Sequence, residues 1–450
     1  MSSRSIPGSL LVVALAGLTA FAQTPPVPPA PPVVGSPETQ KAIELFTAGK
    51  IDDAYKELQN AVKANPKLPP ARVQLASLLF QAKEARAARQ NLETAAAEDP
   101  KHPEVYLMNA SFAFGEGRLT DAILSCQIVL QLAVEPRWDP EQRKRFIREA
   151  RLGLATSFEG RRDFASARDQ LAAILAEDAK NGIARTRLAV SIFMQGKPDE
   201  AFNEFSVAYR DDPALELPEL QIAGLYSNQG DNPKAEEWFK KAVAIHGANV
   251  KSHRAYAGWL LDNGKVDESQ LYIDSAGKLD PNGKETKALR GLALRYRKDF
   301  AGAELIFEDL LKESPSNAFA SLNLALTLAE SPDNKKTAKA VELAENEARK
   351  NSKNAEALAI LGWCYYKNGQ MDNAEKALVG SYQTASQAGQ GLTRDAAYFL
   401  ARLLFDKSKF DEAQKLLKTI GDARGAHVYR TEAAALLVEV DKKVPPPVKK

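Results

Sequence analysis

Apolar and small residues along this chain recur three or four positions apart within segments about a dozen residues long. This spacing predicts amphipathic helices rather than strands. In 35–68 one such segment covers about 38–48 and a second covers about 51–64, with Gly49 between them and Pro66 after the second. Glycine allows the positive φ of a tight turn, and proline ends a helix. The segment therefore predicts two helices joined by a short turn.

This two-helix pattern repeats every 34 residues over most of the chain. Small residues keep the period in parallel series, which run through Ala42, Ala76 and Ala110; through Ala54, Ala88 and Ala122; through Ala189, Ala223, Ala257, Gly291 and Ala325; and through Ala201, Ala235, Ser269 and Ala303. A lone pair of helices cannot bury its apolar face, whereas stacked pairs bury a continuous core. The pattern therefore predicts an all-α solenoid of helix-turn-helix units.

Eleven such units are predicted. They are 35–68, 69–102, 103–136, 148–181, 182–215, 216–249, 250–283, 284–317, 318–354, 355–388 and 394–427. The first three form one block of repeats, 35–136, and the other eight form a second block, 148–427.

The residue types at these positions resemble the tetratricopeptide repeat. The shared features are a small residue in the first helix, glycine at the turn, alanine early in the second helix and a proline after it; in the tenth unit they appear as Leu361-Gly362, Tyr365, Gly369, Ala374 and Leu378. The resemblance implies a right-handed superhelical solenoid, whose inner wall of first-helix residues binds peptides or partner helices. Arg162 and Lys298 depart from the pattern at the turn, and 331–334 lengthens the turn of the ninth unit.

Two segments interrupt or end the array. The insertion 137–147 separates the two blocks, and Asp139 followed by proline is a helix-start signal, so the insertion is predicted to lengthen the next first helix. At the C-terminal end, 428–443 predicts a capping helix that shields the last repeat. The tail 444–450 is predicted to be disordered.

The N-terminal residues lie outside the repeats. Residues 1–22 have the pattern of a secretory signal peptide, with Arg4, an apolar run and cleavage predicted after Ala22. A retained membrane anchor is the alternative, although 13 apolar residues span only about 20 Å of a hydrocarbon core about 30 Å thick. The proline-rich segment 23–37 predicts either an extended spacer or a disordered tail.

Composition narrows the classes of function. The 450 residues include 60 Lys and Arg against 58 Asp and Glu, a balance that argues against a strongly cationic nucleic-acid binder. The sequence holds no phosphate-binding glycine loop, dinucleotide-binding loop, HExxH or GxSxG motif. Cys126 and Cys364 are predicted to pack as apolar residues, and His246 and His253 differ too much in helical phase to suggest a metal pair. No cofactor, metal or enzymatic activity is therefore expected.

Candidate binding residues are aromatic and share one position of the first helices. They are Phe46, Phe80, Phe114, Phe193, Tyr366 and Phe405. Exposed aromatic residues favour protein interfaces, although packing within the repeat is the alternative role. Some members of the family that this chain resembles bind a C-terminal carboxylate with Lys, Arg and Asn residues of their first helices. Those residues are missing in the corresponding stretch here, which contains Thr39, Val73 and Leu107.

A second candidate surface is basic. It comprises Arg143, Lys144, Arg145, Arg148 and Arg151, with Glu149 as the only acid inside the run. The run predicts either a contact with an acidic partner, anionic lipid or nucleic acid, or a solvated helix face. Nucleic acid is not expected as a partner of an exported protein.

The signal segment and the repeats together predict a periplasmic or secreted scaffold that binds a protein or peptide. It would hold a peptide or partner helix in the concave groove, in cell-envelope assembly or export. Two alternatives stay open: a self-associating structural envelope protein, and a non-catalytic accessory subunit of an envelope enzyme complex.

Overall fold

The structure, a computed structural model, describes residues 37–421 and 427–444. The predicted signal peptide and most of both the proline-rich segment and the C-terminal tail lie outside these residues. The described part contains helices and turns and no β-strand, in agreement with the all-α prediction. None of its helices is long and apolar enough to cross a membrane.

A short 3-10 helix, Pro37–Thr39, precedes α-helices that pair in chain order. The pairs are α1 (Gln40–Thr47) with α2 (Ile51–Ala64), α3 (Ala71–Gln81) with α4 (Ala85–Glu98), α5 (Pro103–Gly115) with α6 (Leu119–Leu132), α7 (Pro140–Gly160) with α8 (Phe164–Glu177), α9 (Gly182–Met194) with α10 (Pro198–Asp211), α11 (Pro218–Asn228) with α12 (Asn232–Ile245), α13 (Val250–Asp262) with α14 (Val266–Leu279), α15 (Lys284–Tyr296) with α16 (Phe300–Glu313), α17 (Ala318–Ala329) with α18 (Asn334–Lys350), α19 (Ala355–Lys367) with α20 (Met371–Gln387), and α21 (Arg394–Asp406) with α22 (Phe410–Gly421). A last helix, α23 (Arg430–Asp441), follows the eleventh pair.

Most of the turns inside the pairs contain a residue with positive φ. At Gly49 (φ 76°) the turn is closed by two backbone bonds: its N–H donates to Phe46 O, and the next N–H donates to Leu45 O, both at 2.9 Å. This arrangement satisfies carbonyls that the end of a helix leaves without a partner. Arg162 and Lys298 adopt the same conformation, at φ 61° and 62°, although a side chain there costs roughly 1–2 kcal/mol.

Residues 37–225 form one compact unit, the N-terminal unit. Fully buried small residues lie on both helices of each pair, among them Ala42, Ala54, Ala76, Ala88, Ala110 and Ala122. Larger side chains such as Leu58, Leu92 and Met108 belong to the core cluster that joins consecutive pairs. Small side chains let paired helices approach closely, and larger ones fill the space between pairs.

The insertion 137–147 folds against the third helix pair. The Trp138 ring lies 5.1 Å from the Phe146 ring, and its indole N–H donates to Leu132 O at 2.9 Å. Asp139 caps α7 through a capping box, and α7 is accordingly 21 residues long. Because α6 packs directly on α7, helix-on-helix packing continues across the insertion.

Residues 226–444, apart from 422–426, form a second compact unit, the C-terminal unit. The division between the two units falls within α11. In the ninth pair the turn is longer, and Asp333 caps α18 by accepting from the Lys335 N–H at 2.9 Å. One apolar core runs from α13 to α23 and includes side chains from both helices of each pair.

The close approach of paired helices is clearest at Gly362, in α19. A Cβ atom at this position would lie 2.5 Å from Leu378 Cγ and 3.1 Å from Leu378 N, in the second helix of the pair. The second distance involves backbone, which a rotamer change cannot relieve. Only glycine therefore permits the observed separation of α19 and α20.

We expect Gly362→Ala to destabilise the protein by about 1–3 kcal/mol, because α19 and α20 must separate to admit the methyl group. The matched control is Gly380→Ala in α20, where a Cβ meets nothing within 4 Å. There the higher helix propensity of alanine should stabilise by up to about 1 kcal/mol. Urea unfolding of both variants measures the difference, and coincident unfolding curves would contradict the close contact.

Candidate functional site

The first helices α15, α17, α19 and α21 contact one another in turn. Their side chains, with those of the turns after them, therefore form a continuous surface, which we call the first-helix face of the C-terminal unit. The side chains that matter below are Arg295, Lys298, Glu330, Trp363, Asp395 and Tyr398. This face combines an aromatic cluster with charges of both signs.

Trp363 is the centre of the aromatic cluster. Its ring stacks on Phe399 at 4.4 Å between centroids and on Tyr366 at 5.0 Å, and it lies 5.7 Å from Tyr398. Its indole N–H donates to Glu330 Oε1 at 2.8 Å. Aromatic pairs of this kind each stabilise by about 0.5–1.5 kcal/mol beyond the area they bury. The cluster thus holds the Glu330 carboxylate in a defined position.

Residues 427–432, which we call the docked segment, lie against this face. The Tyr429 ring stacks on Tyr398 at 5.1 Å and lies edge-on to Phe399 at 5.2 Å. The Tyr429 hydroxyl donates to Glu330 Oε1 at 2.8 Å. The Trp363 ring lies 5.5 Å from the same tyrosine, so a side chain beyond the last repeat is held by residues from three preceding helix pairs.

Two further side-chain contacts hold the docked segment on the face. His427 Nδ1 lies 2.6 Å from Asp395 Oδ1, and Glu432 forms an ion pair with Lys298, in the turn after α15. The predicted capping helix 428–443 thus does more than shield the last repeat. Sequence reasoning missed these contacts because 134 residues separate Lys298 from Glu432, and no periodicity marks such a distance.

Burial controls the electrostatics of the face. The Arg295 side chain is only 2% exposed, and its Nη1 lies 3.9 Å from Asp395 Oδ2. Burial, together with the nearby charges of Asp395 and Asp262, raises the pKa of Glu356 to about 7, although Arg295 opposes the shift. Burial and the charge of the accepting carboxylate raise the pKa of Tyr429 well above its usual value. The Tyr429 hydroxyl therefore remains protonated and donates.

In the N-terminal unit, the predicted residues Phe46, Phe80 and Phe114 lie near the C-terminal ends of α1, α3 and α5. All three are half-buried, so part of each ring faces solvent. Phe80 stacks on Phe112 at 4.5 Å, which orients its ring. Three consecutive first helices thus present a partly exposed phenylalanine at the same position.

The other three predicted aromatic residues differ in their surroundings. Phe193 is only 4% exposed, so its ring is part of the core of the N-terminal unit. Tyr366 stacks on Trp363, and its hydroxyl donates to Asp406 Oδ2 at 2.6 Å. Phe405 is half-buried, 5.5 Å from the Phe410 ring. Of these three, only Tyr366 belongs to the aromatic cluster around Trp363.

The basic run lies on α7, where its charges are divided. Arg145 pairs with Glu104, whose side chain is fully buried, and also lies 3.5 Å from Glu149. Arg151 Nη1 donates to Gln170 Oε1 at 3.3 Å. The remaining residues of the run are Arg143, which is half-buried, and Lys144 and Arg148, which are exposed. The run therefore presents fewer free charges than its sequence suggests.

The predicted packing roles of the two cysteines agree with their positions. Cys126 and Cys364 are fully buried, and burial raises the pKa of both thiols, that of Cys126 to about 12. A protonated thiol is a poor nucleophile. His253 Nε2 lies 2.9 Å from Gly247 O. Within 37–421 and 427–444 no group of three or more His, Cys, Asp or Glu residues could hold a metal ion.

His102 links the second and third helix pairs. Its Nδ1 accepts from the Glu104 N–H at 3.3 Å and so caps α5, while its ring lies edge-on to Trp138 at 5.0 Å. Burial, opposed by the charge of Asp99 and aided by the cations Arg137 and Arg145, lowers the pKa of His102 to about 4. The imidazole is therefore neutral at physiological pH.

Family models of the tetratricopeptide repeat match three stretches of the chain, residues 45–106, 152–216 and 333–389. Together with the helix pairs described above, these matches define the class: the chain is a tetratricopeptide repeat protein. Repeats of this class form protein–protein interaction scaffolds. No curated protein matches the sequence.

Solved structures align with much of the chain at low identity. The crystal structure of yeast Tom70 is 15% identical, with 90% of this chain and 95% of that chain covered, at a TM-score of 0.38. The APC/C hetero-tetramer Cut9–Hcn1 is 13% identical, with 90% and 89% covered, at 0.43. A tetratricopeptide repeat protein from Parabacteroides merdae is 14% identical, with 58% and 98% covered, at 0.43. No function is transferred from them, because these superpositions are loose.

We expect His102→Asn to weaken the dependence of stability on pH between about 6.5 and 4. The folded-state pKa lies below the ordinary value of 6.5, so the unfolded chain binds more protons and stability is lost as the pH falls through this window. A pKa difference of one between the folded and unfolded states corresponds to roughly 1.4 kcal/mol. The lowered pKa of His102 therefore changes the free energy of unfolding by at most about 3 kcal/mol. Asparagine keeps a capping acceptor without a titratable group.

Urea unfolding of the wild type and His102→Asn at pH 7.5, 5.5 and 4 measures this effect. The difference in unfolding free energy between the two proteins should change with pH in favour of the variant at pH 4. A constant offset at all three pH values would show that His102 has no part in the acid sensitivity.

Proposed function

We propose that the chain is an exported scaffold that holds a peptide or helix of a partner protein in its concave groove, in cell-envelope assembly or export. The observation that carries the proposal is the row of half-buried phenylalanines Phe46, Phe80 and Phe114 on three consecutive first helices. Their spacing along the array suits an elongated ligand. Aromatic residues that keep part of the ring exposed are typical anchors of protein interfaces.

Export rests on the N-terminal sequence. The apolar run ending in Ala20-Phe21-Ala22 supports secretion with cleavage before Gln23. As an extended spacer, the proline-rich segment 23–37 would reach about 45 Å at roughly 3.1 Å per residue. That length would hold the repeats at a distance from an attachment point.

The proposed role is non-catalytic. Its chemistry is binding, because the two buried thiols, His102 and His253 serve packing and backbone contacts. The affinity would come from apolar surface buried between the phenylalanine rings and the ligand. Specificity would come from charged residues on either side of that row.

We expect the triple substitution Phe46→Ser, Phe80→Ser and Phe114→Ser to reduce partner binding at least about tenfold, because each lost aromatic contact costs on the order of 1 kcal/mol. The measurement is quantitative recovery of a cross-linked partner from an envelope extract, followed by titration of that purified partner. The matched control is Leu124→Ser. Leu124 is 54% exposed and lies on the second helix α6, away from the row of phenylalanines on the first helices.

Circular dichroism distinguishes a lost contact from a lost fold, since the three rings are half-buried. A triple variant that keeps its helicity and binds the partner as tightly as the wild type would refute this binding site. The Leu124→Ser control should bind like the wild type.

We expect the mature protein to begin at Gln23 after expression in a bacterial host, because signal peptidase requires the small residues Ala20 and Ala22. Intact-mass measurement of the extracytoplasmic fraction checks this. Ala22→Arg should block cleavage and leave the full-length chain associated with the membrane. A wild-type chain that keeps Met1 and stays in the cytoplasm would refute export.

A further inference from the structure

We propose that the first-helix face of the C-terminal unit is a second peptide-binding surface, for which residues 427–432 act as a resident ligand. In their place it accepts a partner segment of the same chemistry: a tyrosine followed three residues later by a carboxylate, at the start of a helix. This inference deepens the proposed function, since it describes a partner segment for a scaffold of this class.

The tyrosine requirement follows from the surroundings of Tyr429. Its ring packs against Tyr398 at 5.1 Å and against Trp363 at 5.5 Å, and its hydroxyl donates to Glu330 Oε1 at 2.8 Å. Glu330 Oε2 is also held by Lys367 at 2.9 Å, so the acceptor is fixed before a hydroxyl arrives. A phenylalanine would leave this buried carboxylate with one hydrogen bond fewer.

The carboxylate requirement follows from Lys298. The Glu432 side chain pairs with it, and both side chains are 40% exposed, so solvent reaches this contact. Exposed ion pairs stabilise weakly but discriminate by charge. One helical turn separates Tyr429 from Glu432, which places the two anchors on one side of the segment.

The docked segment leaves several buried polar atoms without hydrogen bonds, which favours its replacement by a partner segment. Arg295 Nε and Nη1, His427 Nε2 and Glu432 Oε2 are buried without a hydrogen-bond partner. Buried donors and acceptors of this kind cost stability when unpaired. A partner segment that brings an acceptor to the Arg295 guanidinium would therefore compete with the chain's own residues.

The test uses a fluorescent synthetic peptide with the sequence of residues 427–444 and the mature full chain. In the wild type the docked segment competes with the peptide at a high effective concentration, so the peptide should bind weakly. The variant Tyr429→Ala with Glu432→Lys weakens only the resident ligand and should bind the peptide at least about tenfold more tightly by fluorescence anisotropy. A peptide with alanine in place of Tyr429 should not bind.

Charge reversal supplies the matched control. Combined with Tyr429→Ala alone, Lys298→Glu should weaken binding of the wild-type peptide and strengthen binding of a peptide that carries the Glu432→Lys change. Circular dichroism verifies folding. If the double variant loses helicity, Glu432→Lys alone, at a side chain that is 40% exposed, should bind the peptide more tightly than the wild type.

Equal affinity of the wild type and both resident-segment variants for the peptide would overturn the proposal. So would a concentration-dependent dimer of the wild type that Tyr429→Ala with Glu432→Lys abolishes, since the face would then belong to a second copy. The measurement involves none of Phe46, Phe80 and Phe114, so it succeeds or fails independently of partner binding in the N-terminal unit.

Discussion

The close contact between the two helices of each pair is the constraint on which the rest of the structure depends. It requires small residues where the helices cross, such as the fully buried Ala42 and Ala54. It is tightest at Gly362, where even a methyl group would meet Leu378. Two helices held this closely behave as one element, but their outward apolar side chains still need cover. Stacking of pairs, and hence the whole array, follows from that need.

Stacking also determines where binding surfaces can form. The first helices of successive pairs lie side by side, so any position of the repeat becomes a row of side chains. In the N-terminal unit the row contains Phe46, Phe80 and Phe114. In the C-terminal unit the corresponding helices carry the aromatic cluster around Trp363, against which Tyr429 packs. One architecture thus offers two surfaces of different chemistry.

Pairing with neighbouring carboxylates explains why the basic run on α7 does not form one patch. Arg145 is withdrawn from the surface because the fully buried carboxylate of Glu104 needs a cationic partner. On the first-helix face of the C-terminal unit, Arg295 likewise lies beside Asp395, and His427 contacts the same carboxylate. Net charge alone therefore describes neither surface well.

The sequence alone determined the helix pairs, the turn positions and the small residues at crossings, because each depends on neighbours within one or two repeats. It also placed Phe46, Phe80 and Phe114 at one position of three first helices. Only the tertiary structure decided that Phe193 is buried and that the C-terminal residues dock on the first-helix face. Tyr429 and Glu330 are 99 residues apart. Periodicity records packing between adjacent repeats, whereas a contact of that separation depends on how a whole unit folds.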